Sequence, residues 1–267
     1  MDKIGKYTTK PFKRKFQEET TLFSRNRFYM TGLLETDITE ARRIFACYKK
    51  TKGTSLSFTS WVAKCVAKAI DENKKVQAAK KGRNLIYFDD VDISVPIEKI
   101  IDGKHFPSIL VLRKANEKSL QQLHDEIRAA QYPDKDERIT TISRKKIDFL
   151  FSLPKFIRKL IFWRRLRNNP FYLKKMNGTI HLNPLGMFAK GTYGWAINLG
   201  HHPVNVIIGG ISEQPRIIEG KLENREFLNI TLKFDHIIID GAPATRFARK
   251  LVDLLKTAAF LEEFCEE

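Results

Sequence analysis

The hydrophobic positions of this chain switch between two spacings. In "SLSFTSWVAKCVAKAIDEN", Phe58, Trp61, Val62, Cys65, Val66, Ala69 and Ile70 recur at three- and four-residue steps, which line one face of a helix. The same spacing returns in "NEKSLQQLHDEIRAAQ" (116–131) through Leu120, Leu123 and Ile127. It appears again in "GAPATRFARKLVDLL" through Phe247, Leu251, Leu254 and Leu255, so a last helix is expected from about Ala242 to Phe264. "TEARRIFACYKK" reads as a helix behind Asp37 and Glu40, which have capping-box spacing. Elsewhere β-branched and aromatic residues cluster or alternate. "RFYMTGLLETDI" (27–38), "NLIYF", "VDISVPIE" and "SILVLRK" (84–114), then "TIHL", "GWAINL", "VNVIIGGI" and "EFLNITLKFD", read as strands. Gly82 and "GGIS" (209–212) read as turns. Strands alternating with helices, without internal repeats, predict an α+β domain: a mixed sheet flanked by helices.

Composition bounds this picture. A chain of 267 residues, 42% hydrophobic, can bury a sizeable core as one large domain or two small ones. It has no run of about 18 apolar residues, and no apolar stretch follows Lys3, Lys6 and Lys10, so neither a membrane span nor a secretory signal is expected. Cys47, Cys65 and Cys265 are an odd set without CxxC spacing, which argues against a disulfide framework or a zinc site and for a reducing, cytoplasmic setting. Cys65, on an apolar helix face, reads as a small buried hydrophobe.

Charge is unevenly placed. Of the formal +17, residues 141–176 carry +10 and residues 1–27 carry +5, leaving a nearly neutral body. Residues 1–27 read as a basic, solvated arm before a domain over 28–267. Local basic segments point to an anionic partner there and away from a nucleic-acid-coated protein. In "LPKFIRKLIFWRRLRNNPFYLKKM", Pro154 suits a helical first turn. Phe156, Ile157, Leu160, Ile161 and Trp163 form a broad apolar face, with Lys155, Arg158, Lys159 and Arg165 largely opposite. Such a helix fits an anionic membrane surface, phosphate binding through arginines, or packing on the sheet with a solvated basic side.

Candidate chemistry concentrates in "FDHIIIDGAPATRF" (234–247), where a strand pattern passes into a helix pattern through Gly241, a position where unusual φ is expected. His236 sits at the strand end, held yet able to face a cleft. An imidazole there suits proton abstraction from a thiol or hydroxyl at neutral pH. Asp240 could orient the ring or pin the turn by pairing with an arginine. His201 and His202, being adjacent, are expected to point to opposite faces if extended, which disfavours a shared metal. His181 shares a face with Asn183 and could line a channel. Trp195 reads as core or pocket wall, and "GGIS" lacks dinucleotide-loop spacing.

The stretch Asp235, His236, Asp240, Gly241, Ala242, Arg246 and Phe247 resembles the Asp-His-x-x-x-Asp-Gly-Ala signature of the 2-oxo acid dehydrogenase acyltransferase catalytic domains. Chloramphenicol acetyltransferase shares its His-x-x-x-Asp-Gly core. "LSFTSWVAKCVAKAI", "YFDDVDISVPIE", "ANEKSLQQLHDEI" and "GTIHLNPLGMF" are similar to further family segments in the same order, over roughly residues 27–260. The resemblance implies a chloramphenicol-acetyltransferase-like sandwich that forms trimers with active sites between subunits. It implies acyl transfer between coenzyme A and a thiol or hydroxyl acceptor, with His236 as general base. Asp240 would be structural, paired with Arg25 or Arg27.

Three departures from the family follow. Asn183-Pro184 replaces the family Ser or Thr that donates to the oxyanion, which leaves the Asn183 amide as the donor. Lipoyl and subunit-binding domains are not in this sequence, so the resemblance is to stand-alone members, with no covalently attached lipoyl and a lipoyl protein or small-molecule acceptor supplied in trans. The basic segment is the third, and its Arg164, Arg165 and Arg167 are candidates for coenzyme A phosphates. No metal is expected. The competing reading is a catalytically silent trimeric scaffold, or a membrane-peripheral interaction protein of the same fold.

Overall fold

The computed structural model describes residues 15–24, 27–101, 104–132, 149–150, 152–188 and 193–264. Six strands form one mixed sheet in the order β1 (Tyr29–Asp37), β8 (Lys221–Asp235), β7 (Val204–Ile218), β6 (Ile180–Pro184), β4 (Ile93–Ile101) and β5 (Lys104–Leu112). β6 runs parallel to both of its neighbours and the other pairs are antiparallel. β2 (Ala79–Lys81) and β3 (Asn84–Ile86) form a separate two-stranded sheet, which is all that "NLIYF" contributes.

Alternation sorts β8 cleanly. Leu228, Ile230, Leu232 and Phe234 join Trp61, Val62, Ile70, Phe247, Leu251 and Leu255 in one buried core. The helices supplying that core are α2 (Thr39–Lys52), α3 (Phe58–Asp71), α4 (Leu120–Gln131) and α7 (Gly241–Lys256). Ser57 caps α3 by accepting the Ser60 amide at 3.2 Å. Ser119 and Gln122 form a reciprocal capping box on α4. The box expected at Asp37 and Glu40 does not form. Asp37 instead accepts the Thr39 amide at 2.9 Å and the Arg225 guanidinium at 2.9 Å, because β1 and β8 bring that arginine across the ladder.

The opposite face of β8 carries Asn229, Thr231, Lys233 and Asp235, and these are buried too. Residues 193–203 cover that face: Trp195 Nε1 donates to the Leu34 carbonyl at 2.8 Å, and Asn205 Nδ2 donates to the His202 carbonyl at 3.1 Å. "GWAINL" therefore has a strand's alternation of exposure but no strand partner among the described residues. "GGIS" is not a turn either. It lies within β7, where the ladder slips between Ile208 and Ile211, a bulge that the paired glycines permit. A Cβ on Gly186 would stand 1.8 Å from the Gly209 carbonyl oxygen, so the backbone after β6 rests directly on this bulge. Gly186→Ala is expected to cost about 1–3 kcal/mol, read as a lowered urea midpoint with unchanged m-value.

Two elements depart from the linear reading. Lys15–Ser24 is a helix, α1, within what reads as a solvated arm. It packs on α5 (residues 155–168), which contains a π turn over Lys159–Trp163, and near α6 (Pro170–Asn177). Phe23, Trp163, Leu166 and Leu173 form a second, smaller core there. The final helix stops at Lys256, earlier than its periodicity suggests, because the chain turns through positive φ at Ala258 and Phe260. Cys65 is free and buried, and desolvation pushes its thiol well above the ordinary cysteine value, which excludes it as a nucleophile. Cys47 is disulfide-bonded, against the expectation from the odd cysteine count.

Candidate active site

β8 ends at Asp235 and α7 begins at Gly241, and the five residues between them make the turn that presents His236. The Ile238 and Ile239 amides both donate to the Asp235 carbonyl at 2.9 Å, and Ile237 N–H donates to the Asp235 carboxylate at 3.2 Å. Ile239 inserts into the main core while Ile237 and His236 face outward. The backbone of His236 is fixed by its N–H donating to the Phe28 carbonyl at 2.8 Å. The imidazole is thus exposed on an anchored backbone, as expected of a group that meets a substrate proton.

Arg27 pairs with Asp235 and not with Asp240. Register explains the correction: Tyr29 lies opposite Asp235 in the β1–β8 ladder, so the residues entering β1 arrive beside the end of β8. Asp240 lies five residues further on, exposed, at the N-cap of α7, where its side chain makes no capping bond. Arg25, the other candidate partner, lies outside the described residues. Gly241 is ordinary in conformation: it is not among the glycines with positive φ, and a Cβ there would meet nothing within 4 Å.

Asn183 is half-buried in β6, opposite Ile207 of β7, which in turn faces Thr231 of β8. His236 lies five residues beyond Thr231. At ~3.3 Å per residue and ~4.8 Å per strand spacing, the two backbones are separated by about 19 Å. Within one chain, then, the candidate base and the candidate oxyanion donor do not meet. A cavity of about 1030 Å³ opens just past Asn183, lined by Phe58, Gly186, Trp195, Gly209, Ser212 and Asn229 among others. His236 is not among its lining residues. Trp195 is therefore a pocket wall. Arg164, Arg165 and Arg167 are exposed on α5 and none lines this cavity; Arg165 instead lies over the Tyr172 ring at 4.7 Å and Arg167 over Phe23 at 5.6 Å.

His181, His201 and His202 form a cluster that the linear reading missed. Residues 201 and 202 are not in a strand, so their rings do not diverge: the centroids lie 4.4 Å apart, and His181 stacks on His202 at 5.6 Å. His202 Nε2 contacts the Asn177 carbonyl at 2.8 Å, and His201 Nε2 contacts Asn177 Nδ2 at 2.9 Å. Among the described residues no group of His, Cys, Asp or Glu has metal-site geometry. Burial pushes His181 down to about 4 and His201 down to about 3, and His202 falls well below its ordinary value for the same reason.

These rings are neutral when folded and take up protons near pH 6.5 when unfolded. The unfolded state therefore binds more protons below pH 6.5, so their stabilising contribution is full above that pH and is lost as pH falls toward the folded values. Each ring contributes up to about 1.4 kcal/mol per pH unit in that window. His124, also lowered by burial, adds in the same direction. Urea midpoints are expected to fall between pH 7.5 and pH 5, and a flat profile would contradict the assignment.

A protein-family model described as 2-oxoacid dehydrogenases acyltransferase (catalytic domain) matches residues 9–146 and 162–262. The lipoamide acyltransferase component of the branched-chain alpha-keto acid dehydrogenase complex of Bacillus subtilis is 21% identical over 230 residues, covering 84% of this chain and 46% of that protein. The chain spans less than half the length of this relative. Among solved structures, a probable dihydrolipoamide acetyltransferase from Listeria monocytogenes superposes with a TM-score of 0.67 at 21% identity, covering 96% of each chain. The cubic core of the pyruvate dehydrogenase multienzyme complex gives 0.64 at 23% identity, covering 96% of this chain and 93% of that one. The expected mixed sheet flanked by helices is thus the fold of known acyltransferase cores. The chain belongs to the 2-oxoacid dehydrogenases acyltransferase (catalytic domain) family.

Proposed function

We propose that this protein transfers an acyl group between coenzyme A and a thiol or hydroxyl acceptor, with His236 as general base. The carrying observation is the presentation of His236: an exposed imidazole on a backbone fixed by the Phe28 carbonyl and the Asp235-centred turn. In the forward direction the imidazole takes the acceptor proton. The resulting thiolate or alkoxide attacks the thioester carbonyl, and the tetrahedral oxyanion collapses by breaking the carbon–sulfur bond of acyl-coenzyme A. The departing coenzyme A thiolate recovers the proton from His236. Asn183 supplies the oxyanion donor, a role open to an asparagine amide and worth about 10²–10³ in rate.

Since His236 and Asn183 stand about 19 Å apart in one chain by strand geometry, the complete site joins His236 of one copy to Asn183 and the large cavity of another. The surface supports this reading. Phe28 and Ile237 are exposed near the His236 end, Leu33 is exposed further along β1 opposite Thr231, and Tyr193, Trp195, Ile197 and Leu199 form an exposed apolar row in the unpaired segment. Apolar surface of this extent marks a protein contact. The assembly is a trimer or a multiple of trimers, in keeping with the multienzyme core whose fold this chain shares. Asp240, exposed and without a capping bond, has no ion-pair partner among the described residues and can meet a cation across that contact. A lipoyl group carried by a separate protein is a natural thiol acceptor, given the relatives' names.

The test is release of free coenzyme A from acetyl- and succinyl-coenzyme A with dihydrolipoamide, other thiols and hydroxyl compounds as acceptors. Acceptor-dependent release is expected with at least one pair. Release from none would favour the silent scaffold.

A further inference from the structure

We propose that the outward face of α5 is a docking surface for an anionic lipid bilayer. The inference is independent of acyl transfer, and it rests on how the helix is anchored and what it leaves exposed.

Its inward side is fixed to α1. Arg158 is buried and pairs with Glu19 at 2.6 Å, Trp163 Nε1 donates to the same carboxylate at 2.7 Å, and the Phe23 and Trp163 rings lie 5.3 Å apart. The π turn over Lys159–Trp163 winds more residues into one turn than an α-helix does. It thereby keeps Arg158, Trp163 and Leu166 on the buried side, and the apolar residues between them turn outward. Phe156, Leu160 and Ile161 are 72%, 59% and 60% exposed. Of the three readings open for this helix, the exposed stripe disfavours the one in which it packs on the sheet.

Cations frame the exposed apolar residues. Lys155, Lys159, Arg164 and Arg165 are all exposed, and among the described residues no carboxylate lies in ion-pair contact with Lys159, Arg164 or Arg165. Beside them, a cavity of about 430 Å³ between α1 and α5 is walled by Leu22, Phe23, Trp163 and Glu19, whose carboxylate is neutralised by Arg158, and edged by Lys155, Lys159 and Arg167. An apolar interior with a cationic rim matches a lipid, whose acyl region and anionic headgroup need one of each. A nucleic acid or other polyanion would satisfy the cations but leave Phe156, Leu160 and Ile161 in water.

Two further observations favour a bilayer. The helix is about 20 Å long, and no described helix is long and apolar enough to cross a membrane, so α5 would lie in the interfacial plane. The family model passes over residues 147–161, so Phe156, Leu160 and Ile161, the apolar part of this face, lie outside the segments it matches. Each cation near an anionic surface strengthens binding by about fivefold, and salt weakens the attraction over a Debye length of about 8 Å at physiological ionic strength.

The experiment is co-sedimentation of the full chain with vesicles of phosphatidylcholine alone or with about one-third phosphatidylserine. Two surface variants accompany it: Lys159→Gln/Arg164→Gln/Arg165→Gln and Phe156→Ser/Leu160→Ser/Ile161→Ser. Binding is expected only with phosphatidylserine, weakened at least about tenfold by either variant and by 0.5 M salt, with thermal midpoints and assembly size unchanged. Three results would overturn the proposal. One is no binding to anionic vesicles. Another is binding that survives both variants. The third is loss of an oligomer in the serine variant, which would mean that a second copy covers this face.

Discussion

Replacing His236 with alanine is expected to lower acyl transfer by about 10²–10⁴-fold, the usual worth of a general base, with KM for acyl-coenzyme A little changed. The fold should not notice. The side chain is exposed, and the contact that holds this residue is made by its backbone N–H, which alanine retains. Exposed substitutions of this kind usually stay within about 0.5 kcal/mol. Stopped activity with an unchanged thermal midpoint therefore separates a catalytic imidazole from a structural one, and an undiminished rate would remove His236 from the mechanism.

Arg27→Ala is expected to act through stability. Asp235 is only 3% exposed, and its carboxylate both receives Arg27 and holds the Ile237 amide at 3.2 Å. Removing the arginine leaves a buried carboxylate without its counter-ion, a loss of about 3 kcal/mol in comparable pairs. For a chain of this size that corresponds to a fall in Tm of roughly 6–12 °C. Because the same carboxylate shapes the turn carrying His236, activity should fall as well. Asp240→Ala offers the contrast: its carboxylate is exposed and caps nothing, so the Tm of the isolated protomer should move little. Equal losses from the two variants would contradict the observed pairing.

How far these features could be read from the sequence depended on whether neighbours along the chain determined them. α3, α4 and most of α7 follow from their three- and four-residue spacing because one face of each meets a single core. β8 follows from its alternation. His236 is found by its motif, since the strand, turn and helix that present it are contiguous. Pairings across the sheet are a different matter. Arg27 meets Asp235 because of β1–β8 register, which spacing in "FDHIIIDG" cannot encode. The three histidines converge because residues 201 and 202, just before the chain enters β7, lie against Asn177 and His181 at the start of β6. "GWAINL" has a strand's pattern yet no partner within the chain's described residues, so its alternation fits a contact with another copy. Likewise α5 has a clear apolar stripe, but only the π turn and the Glu19–Arg158 pair decide which side is buried.

The central claim is that His236 and Asn183 act together from different copies. It is tested most directly by co-expressing His236→Ala with Asn183→Ala and assaying the mixed assembly. Each variant alone should be strongly impaired. Random mixing restores a site wherever an intact His236 faces an intact Asn183, so activity should recover to about a quarter of the parent's. Recovery no greater than the average of the two variants assayed alone would contradict a site shared between copies.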